Sequence, residues 1–218
     1  MPIGHRHGEP NDFDARARTW DYPSKVERAR RVADAIVARV PGLAGKSVLE
    51  YGAGTGLLGL ALQPHVAQVT LADSSREMLV VAAEKIAARG LRNAATLPLD
   101  LATEAVPPDR FDLVCTLLTL HHIRDTDRVL RAFHALLREG GVLCVADLDR
   151  EDGSFHGPGA VAHEGFERGE LRARLERCGF GDVRFDTVAQ VRKQTAAGER
   201  DFPVFLAVAR RALSLIHI

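Results

Sequence analysis

The sequence predicts an α/β domain built on a doubly wound, mostly parallel β-sheet, and three observations support this. Short apolar segments alternate with helical segments through the middle of the chain. These apolar segments are near-continuous Val/Leu runs, as expected for strands buried on both faces. The 218 residues are 46% hydrophobic, which is enough for the core of one domain. Right-handed crossovers then place ligands at the carboxyl ends of the strands.

The chain begins with an arm and a helix. Residues 1–12 are polar and contain Gly and Pro, so they predict a loose arm. Apolar residues recur at three- and four-residue spacing after Ser24. They predict a helix that Ser24 caps, with Glu27 in the capping-box position, and that the Pro41–Gly42 pair ends.

Strands and helices then alternate. The apolar runs predict five strands, over residues 46–51, 67–73, 93–100, 111–118 and 141–148. Helices are predicted from Gly56, over residues 75–90 and from about residue 125 to 138. Gly90 ends the second of these helices, and Gly140 with Gly141 ends the third.

The pattern changes after residue 149. A Gly-rich segment over 150–165 predicts a long loop near the strand ends, and a helix follows over 166–180. Residues 181–193 and 202–211 alternate apolar and polar side chains around a short connector, which predicts an antiparallel hairpin at one sheet edge. We therefore divide the chain into an arm (1–23), one domain (24–211) and a tail (212–218). The tail resembles translated vector read-through from Ser214 onward, and we expect it to be non-native.

Charge and cysteine content restrict the partners and the compartment. The 29 Lys and Arg balance 29 Asp and Glu, which argues against nucleic acid or an anionic membrane as a partner. No apolar run approaches the roughly 18–20 residues that span a bilayer, and the polar N-terminus does not resemble a signal peptide. The three cysteines cannot all pair within one chain and lack metal-ligand spacing. We expect a cytoplasmic protein without a metal site, and the sequence leaves the oligomeric state open.

A glycine-rich turn follows the first predicted strand. Glu50 precedes Gly52, Gly54 and Gly56 at alternate positions. Glycine suits this place because the chain turns tightly and its backbone must approach a ligand without an intervening Cβ. Gly54, Gly56 and Gly59 also fit the dinucleotide fingerprint formally, although that pattern normally begins at the strand end itself. The second strand also ends at an acid, Asp73. A carboxylate there can accept hydrogen bonds from both hydroxyls of a ribose, in a dinucleotide or in another nucleoside cofactor.

From about Phe13 to Arg211 the chain resembles the class I S-adenosylmethionine-dependent methyltransferases, which carry an acid and three alternating glycines after their first strand. The resemblance implies a Rossmann-like, seven-stranded sheet of order 3-2-1-4-5-7-6 with strand 7 antiparallel. It implies that Asp73 accepts the ribose hydroxyls and that Asp100 accepts the adenine amino group, with Leu101 beside the ring. Met78 either packs against adenine or fills the core. The full set expected to bind S-adenosylmethionine is Glu50, Gly52, Gly54, Gly56, Asp73, Ser74, Met78, Asp100, Leu101 and Leu117.

Histidines are the candidate catalytic and substrate residues. His121 and His122 follow the fourth strand, where the methyl group should lie, and either could act as a base or serve as a structural loop element. His156 and His163 lie on the Gly-rich loop and are candidate substrate contacts. Asp147 and Asp149 follow the fifth strand and are either loop caps or ligands for a cation. Trp20 and Tyr22 resemble a family element that folds over the cofactor, and the alternative is that they anchor the first helix.

These expectations define one function and two alternatives. The chain is expected to be a methyltransferase that uses S-adenosylmethionine and acts on a small molecule. The absence of a basic stripe, and of the Asn/Asp-Pro-Pro-aromatic pattern after the fourth strand, favours a small-molecule substrate. A non-catalytic protein that binds S-adenosylmethionine or S-adenosylhomocysteine, and an NAD-dependent oxidoreductase, remain the alternatives.

Overall fold

A computed structural model describes residues 10–157 and 161–212. The described residues form six α-helices and seven strands. Residues 10–12, expected in the loose arm, begin a helix, and between residues 47 and 148 strands and helices follow in the predicted order. In chain order they are α1 (Pro10–Arg16), α2 (Pro23–Arg39), β1 (Ser47–Tyr51), α3 (Leu57–Leu62), β2 (Gln68–Asp73), α4 (Arg76–Ala88), β3 (Ala94–Pro98), β4 (Phe111–Leu117), α5 (Thr126–Leu136), β5 (Leu137–Leu148), α6 (Arg168–Arg177), β6 (Phe180–Thr195) and β7 (Gly198–Arg211).

The strands form one sheet of order β3-β2-β1-β4-β5-β7-β6, which confirms the predicted topology. β1 to β5 pair in parallel, whereas β7 is antiparallel to both β5 and β6. The strand order reverses between β1 and β4, so the carboxyl ends of these two strands border the crevice where doubly wound sheets bind ligands.

Both faces of the sheet are covered, because successive side chains of β1 enter different cores. Val48 packs in the core under α2 and α3, with Ile36 and Leu58. Leu49 packs in the core on the opposite face, with Phe133 of α5. This arrangement explains why the strands are continuous apolar runs rather than alternating ones.

Several helix boundaries differ from the prediction. α6 spans Arg168–Arg177 instead of residues 166–180, and β6 already begins at Phe180. α2 begins at Pro23 with Tyr22 as its N-cap, because proline suits the first helical position, so Ser24 is not the cap. α5 ends at Leu136, two residues before the predicted end, and β5 already begins at Leu137. The two glycines that follow therefore lie inside β5, where the register against β4 is irregular and Gly140 has a φ of +70°.

The hairpin of β6 and β7 is longer than its apolar pattern predicts. Its strands run to a two-residue turn between Thr195 and Gly198. Arg192 and Asp201 are Cα partners across this polar end and are joined by hydrogen bonds of 2.7 and 2.9 Å. Such cross-strand charge pairs support strands that lack a buried face.

Residues 1–9 and 213–218, and with them most of the predicted loose arm and the read-through from Ser214, lie outside the described residues. Within 10–157 and 161–212, no helix combines the length and the apolar character that crossing a membrane requires.

Candidate functional site

The glycine turn between β1 and α3 depends on glycine conformation. Gly52, Gly54 and Gly56 have φ values of +68°, +53° and +80°. A Cβ on Gly52 would lie 2.3 Å from the Cγ2 of Thr119, and a Cβ on Gly56 would lie 2.7 Å from a methyl group of Leu71. These two glycines are therefore required by packing within the protein as well as by backbone conformation.

Gly54 is different, because its Cα faces side chains at ordinary contact distance. A Cβ there would lie 3.7 Å from the indole nitrogen of Trp20 and 3.8 Å from the sulfur of Met78. Trp20 is half-buried and Met78 is buried. Of the three glycines, Gly54 is therefore the one at which an added Cβ would make ordinary contacts rather than overlap a packed side chain.

Glu50 ends below this turn and anchors the helix that follows it. The side chain is 2% exposed, and its Oε2 accepts a hydrogen bond of 2.7 Å from the backbone N–H of Gly59. Burial raises the pKa of Glu50 to about 8, against the lowering effect of the Gly59 hydrogen bond. Glu50 therefore shapes the turn from beneath it, and its predicted place in the cofactor site remains a prediction.

Asp73 ends β2, and its carboxylate lies against the glycine turn. Oδ2 accepts from the N–H of Gly54 at 2.7 Å, and Oδ1 accepts from the N–H of Ser75 at 2.8 Å. Burial raises the pKa of Asp73, and the hydrogen bonds from the backbone N–H groups of Ser75 and Gly54 lower it. Ser74, the residue between Asp73 and Ser75, is exposed. Counting the two bonds from Gly54 and Ser75, each oxygen keeps a second lone pair, so the carboxylate can still accept two hydroxyls.

Asp100 lies just beyond the end of β3 and closes a local turn. Its oxygens accept from the N–H of Ala102 at 2.9 Å and from the hydroxyl of Thr103 at 2.8 Å. Leu101 is buried, and its N–H donates to the hydroxyl of Tyr51 at 3.1 Å. The predicted adenine contacts are therefore present at the strand ends beside Asp73, and their role toward a ligand remains a prediction.

The segment before α2 lies across the turn and is tied to it by two aspartates. Asp14 accepts from the hydroxyl of Ser75, and Asp21 accepts from that of Thr55, both at 2.5 Å. Asp21 also pairs with Lys85 of α4 at 2.5 Å. Both aspartates lie in the family element that contains Trp20, but sequence reasoning assigned roles only to its aromatic residues.

Of the two aromatic candidates in this segment, the structure brings only one to the turn. The Trp20 ring packs edge-on to Phe13, with ring centroids 5.8 Å apart, and the ammonium of Lys25 lies 3.1 Å from the Trp20 centroid. Tyr22, by contrast, is 50% exposed and serves as the N-cap of α2.

A buried pair of side chains lies at the ends of β4 and β5. His121 is 2% exposed, and its Nδ1 is 2.6 Å from Oδ1 of the fully buried Asp147. The same carboxylate accepts from the backbone N–H groups of Leu120 and Leu148 at 3.0 and 2.8 Å. Because a carboxylate that takes two backbone donors also accepts the third bond, Nδ1 of His121 carries the proton and its Nε2 has a free lone pair.

Two further histidines join this pair. Nε2 of His156 lies 3.1 Å from Nε2 of His121, and the ring centroids of His121 and His122 are 4.1 Å apart. Burial, and secondarily the neighbouring His121, lower the pKa of His122 to about 4 and that of His156 to about 3. Sequence reasoning named all three residues but did not bring them together, because 35 positions separate His121 from His156.

His163 and Asp149 do not contribute to this cluster. Nε2 of His163 lies 3.0 Å from the hydroxyl of Thr126 and 2.9 Å from the carbonyl of Ile123. Asp149 forms a bidentate pair with Arg168, with both bonds at 2.7 Å. Both residues hold the loop in place. Of the two acids considered as cation ligands, Asp149 forms an ion pair and Asp147 orients His121.

Phe13 and the loop after β4 connect the histidines to the glycine turn. The Phe13 ring packs edge-on to His122 at 5.5 Å, as well as to Trp20. Thr119, two residues before His121, packs against Gly52 and donates to its carbonyl at 3.4 Å. Leu117, the remaining predicted cofactor contact, is half-buried at the end of β4. The turn and the histidines therefore border one site.

Comparisons of the sequence with known families and proteins identify a matching family and several relatives. A family described as "Methyltransferase domain" matches residues 49–143, from β1 into β5. The ubiquinone biosynthesis O-methyltransferase of Stutzerimonas stutzeri is 31% identical over 153 residues, which is 68% of this chain and 66% of that protein. The enzyme of the same name from Sodalis glossinidius is 30% identical over 160 residues, covering 69% of this chain and 64% of its own length. The chain thus spans slightly less than two thirds of these relatives.

Solved structures share the fold. A methyltransferase from Aquifex aeolicus described as SAM-dependent superposes with a TM-score of 0.67 at 19% identity, covering 94% of this chain and 99% of its own. The [4+2]-cyclase SpnF has a TM-score of 0.69 at 19% identity, covering 85% and 81%. Taken together, the strand order, the acid and three glycines after β1, the acid after β2 and the sequence relatives show that this chain belongs to the class I S-adenosylmethionine-dependent methyltransferase family.

Proposed function

We propose that this chain transfers the methyl group of S-adenosylmethionine to a hydroxyl oxygen of a small molecule. The observation that carries the proposal is the hydrogen bond from the N–H of Gly54 to Asp73, which holds a carboxylate with spare acceptor capacity against the turn. Oxygen is proposed as the acceptor atom because the sequence relatives are named O-methyltransferases.

The residues of the turn fit the cofactor. The spare lone pairs of Asp73 match a vicinal diol, which offers two donors. Gly54 has no Cβ, so its backbone would approach the ligand closely once the contacting side chains of Trp20 and Met78 move aside. Asp100, Leu101 and Ser74 would complete the nucleoside side, and Leu117 the side toward the acceptor.

When bound, S-adenosylmethionine supplies a methyl group on a positively charged sulfur. The protein then has to align the acceptor with that methyl group and exclude water. Trp20 and Phe13 provide an apolar cover over the turn. His121 offers the acceptor hydroxyl a lone pair on Nε2, which Asp147 keeps free of a proton by holding the proton on Nδ1. This geometry favours His121 over His122 as the catalytic histidine.

The acceptor would be recognised by the parts of the chain outside the common sheet. These are the segment before α2 and the loop that carries His156. The chain has a net charge of zero, which supports a small molecule rather than nucleic acid as the substrate. All three cysteines are free, and Cys115 and Cys144 are buried, which supports a reducing, cytoplasmic compartment.

Two measurements on the full chain test the proposal. Calorimetry with S-adenosylhomocysteine should show binding, whereas NAD should not bind; the reverse result would favour an oxidoreductase. Incubation with methyl-labelled S-adenosylmethionine and a metabolite extract should give a labelled small molecule. Binding without any labelled product would favour a non-catalytic protein, and the cyclase among the structural neighbours shows that this fold also hosts other reactions.

A further inference from the structure

Three imidazoles converge beside the proposed acceptor position. One ring nitrogen from each of His121, His122 and His156 lies within 4.8 Å of the other two. The Nε2 atoms of His121 and His156 are 3.1 Å apart. Two nitrogen ligands of one tetrahedral ion, at bond lengths of about 2.0–2.1 Å, lie about 3.3 Å from each other. The spacing of these two atoms is therefore close to that of two ligands on a shared ion.

We propose that His121, His122 and His156 bind one divalent transition-metal ion with an open position that takes an oxygen ligand. Imidazole suits zinc, iron, copper and nickel, and three protein ligands with an open fourth position are typical of catalytic zinc sites. The identity of the oxygen ligand as the acceptor hydroxyl rests on the proposed function. With an ion bound, the Nε2 lone pair of His121 is a metal ligand, so the ion takes the place of His121 in activating that hydroxyl. The proposal departs from the sequence-based expectation of no metal site, which considered the histidines separately.

Asp147 supplies the support that a metal ligand requires. A histidine bound to a metal usually donates its other ring N–H to a carboxylate or carbonyl, which fixes its tautomer. His121 does this through the 2.6 Å contact of Nδ1 with Asp147. The carboxylate is itself fixed by the backbone N–H groups of Leu120 and Leu148. The lone pair of Nε2 is thus directed toward His156 before any ion is bound.

The other two rings are enclosed by aromatic side chains. Phe155 packs edge-on to His156 with ring centroids 4.7 Å apart, and Phe13 packs in the same way against His122. Without an ion, Nε2–H of His156 donates to Nε2 of His121; with an ion, both nitrogens bind it.

A cobalt titration tests the site without measuring activity. The full chain is purified without a histidine tag, with His5 and His7 replaced by glutamine in every sample because that pair could bind metal independently. After chelation, Co²⁺ is added and its visible ligand-field absorption is recorded. We expect saturation at one Co²⁺ per chain. His156→Gln should weaken cobalt binding by more than about 100-fold. Removing a residue that only supports a ligand costs up to about 100-fold in affinity, and the loss of a direct ligand should exceed this. His65→Gln, which changes an exposed histidine elsewhere, should leave the titration unchanged.

The outcomes separate this proposal from the proposed function. No saturable absorption, or equal affinity in the His156→Gln chain with an unchanged circular dichroism spectrum, would overturn the metal site. Catechol added to the cobalt-loaded chain should shift the absorption band, and an unchanged band would overturn the oxygen position. S-adenosylhomocysteine binding by the same samples is measured separately. A chain that binds S-adenosylhomocysteine but not cobalt rejects the metal site alone. A chain that binds cobalt but not S-adenosylhomocysteine rejects the proposed function.

Discussion

Asp73→Asn tests the cofactor site most directly, because it keeps the shape of the side chain and replaces one acceptor oxygen. Oδ1 and Oδ2 each accept one backbone N–H, which leaves one lone pair on each oxygen for a ribose hydroxyl. Asparagine keeps a single oxygen, so at least one charge-assisted hydrogen bond to the cofactor is lost. Such a bond contributes about 1.5–3 kcal/mol. The affinity for S-adenosylhomocysteine should therefore fall by roughly 10- to 150-fold.

The same substitution also costs stability, so it needs a matched control. The new amide nitrogen faces the N–H of Gly54 or Ser75, and a buried donor left without an acceptor costs about 1–3 kcal/mol. Asp112→Asn makes the same replacement at the other end of the sheet, where one Asp112 oxygen accepts from the N–H and the hydroxyl of Ser47 at 2.8 and 2.9 Å and pairs with Arg138. Both variants should unfold at lower urea concentration than the unmodified chain. Only Asp73→Asn should bind the nucleoside more weakly.

Calorimetry with S-adenosylhomocysteine and urea unfolding on both variants decide the matter. Unchanged affinity in Asp73→Asn would refute the assignment of the ribose contact to this residue. Equal losses of affinity in both variants would show that reduced stability, rather than a lost contact, weakens binding.

Three further substitutions give separate expectations. Burial raises the pKa of Glu50 from 4.5 to about 8, so the folded chain holds a proton there that the unfolded chain releases, and stability falls as the pH rises through this range. Glu50→Gln should remove that slope, a difference on the order of a few kcal/mol between pH 5 and pH 8 by urea unfolding; parallel curves would contradict it. Gly52→Ala should destabilise the fold by about 2–5 kcal/mol, because its Cβ would overlap Thr119 at positive φ. Gly54→Ala should destabilise the fold by only about 1–2 kcal/mol in the same assay and should weaken S-adenosylhomocysteine binding measured by calorimetry. A larger loss of stability than that of Gly52→Ala, with unchanged binding, would contradict this expectation.

The sequence predicted the sheet because its signal is local. β1, β2, β4 and β5 are apolar runs, of which β1, β2 and β5 end at or next to a glycine or an acid, and each was placed to within a few residues. The misplaced boundaries depend on contacts that the pattern does not contain. The polar ends of β6 and β7 are strands because Arg192 meets Asp201 across the hairpin, and these two residues lie nine positions apart.

Some residues of the candidate site were likewise predictable from a local motif, whereas others depend on contacts between distant parts of the chain. Glu50 and Asp73 follow directly from their strand ends, so their positions were predictable from a motif. The position of His156 depends on how the loop after β5 folds back over β4, and no short-range pattern encodes this. Asp14 and Asp21 were unpredictable for a related reason, since their partners Ser75 and Thr55 lie 61 and 34 positions away.

The acids at the strand ends differ in what their backbone neighbours leave free, and this difference assigns their roles. Glu50 accepts one backbone N–H in a fully buried position, so its proton is held and the side chain anchors α3. Asp73 accepts one backbone N–H on each oxygen and keeps one lone pair on each for a ligand. Asp147 accepts two backbone N–H groups and Nδ1 of His121, so its remaining function is to set the direction of a neighbouring lone pair. Acidic side chains at the same end of the sheet thus serve three purposes, because the hydrogen-bond donors around each carboxyl group differ in number and direction.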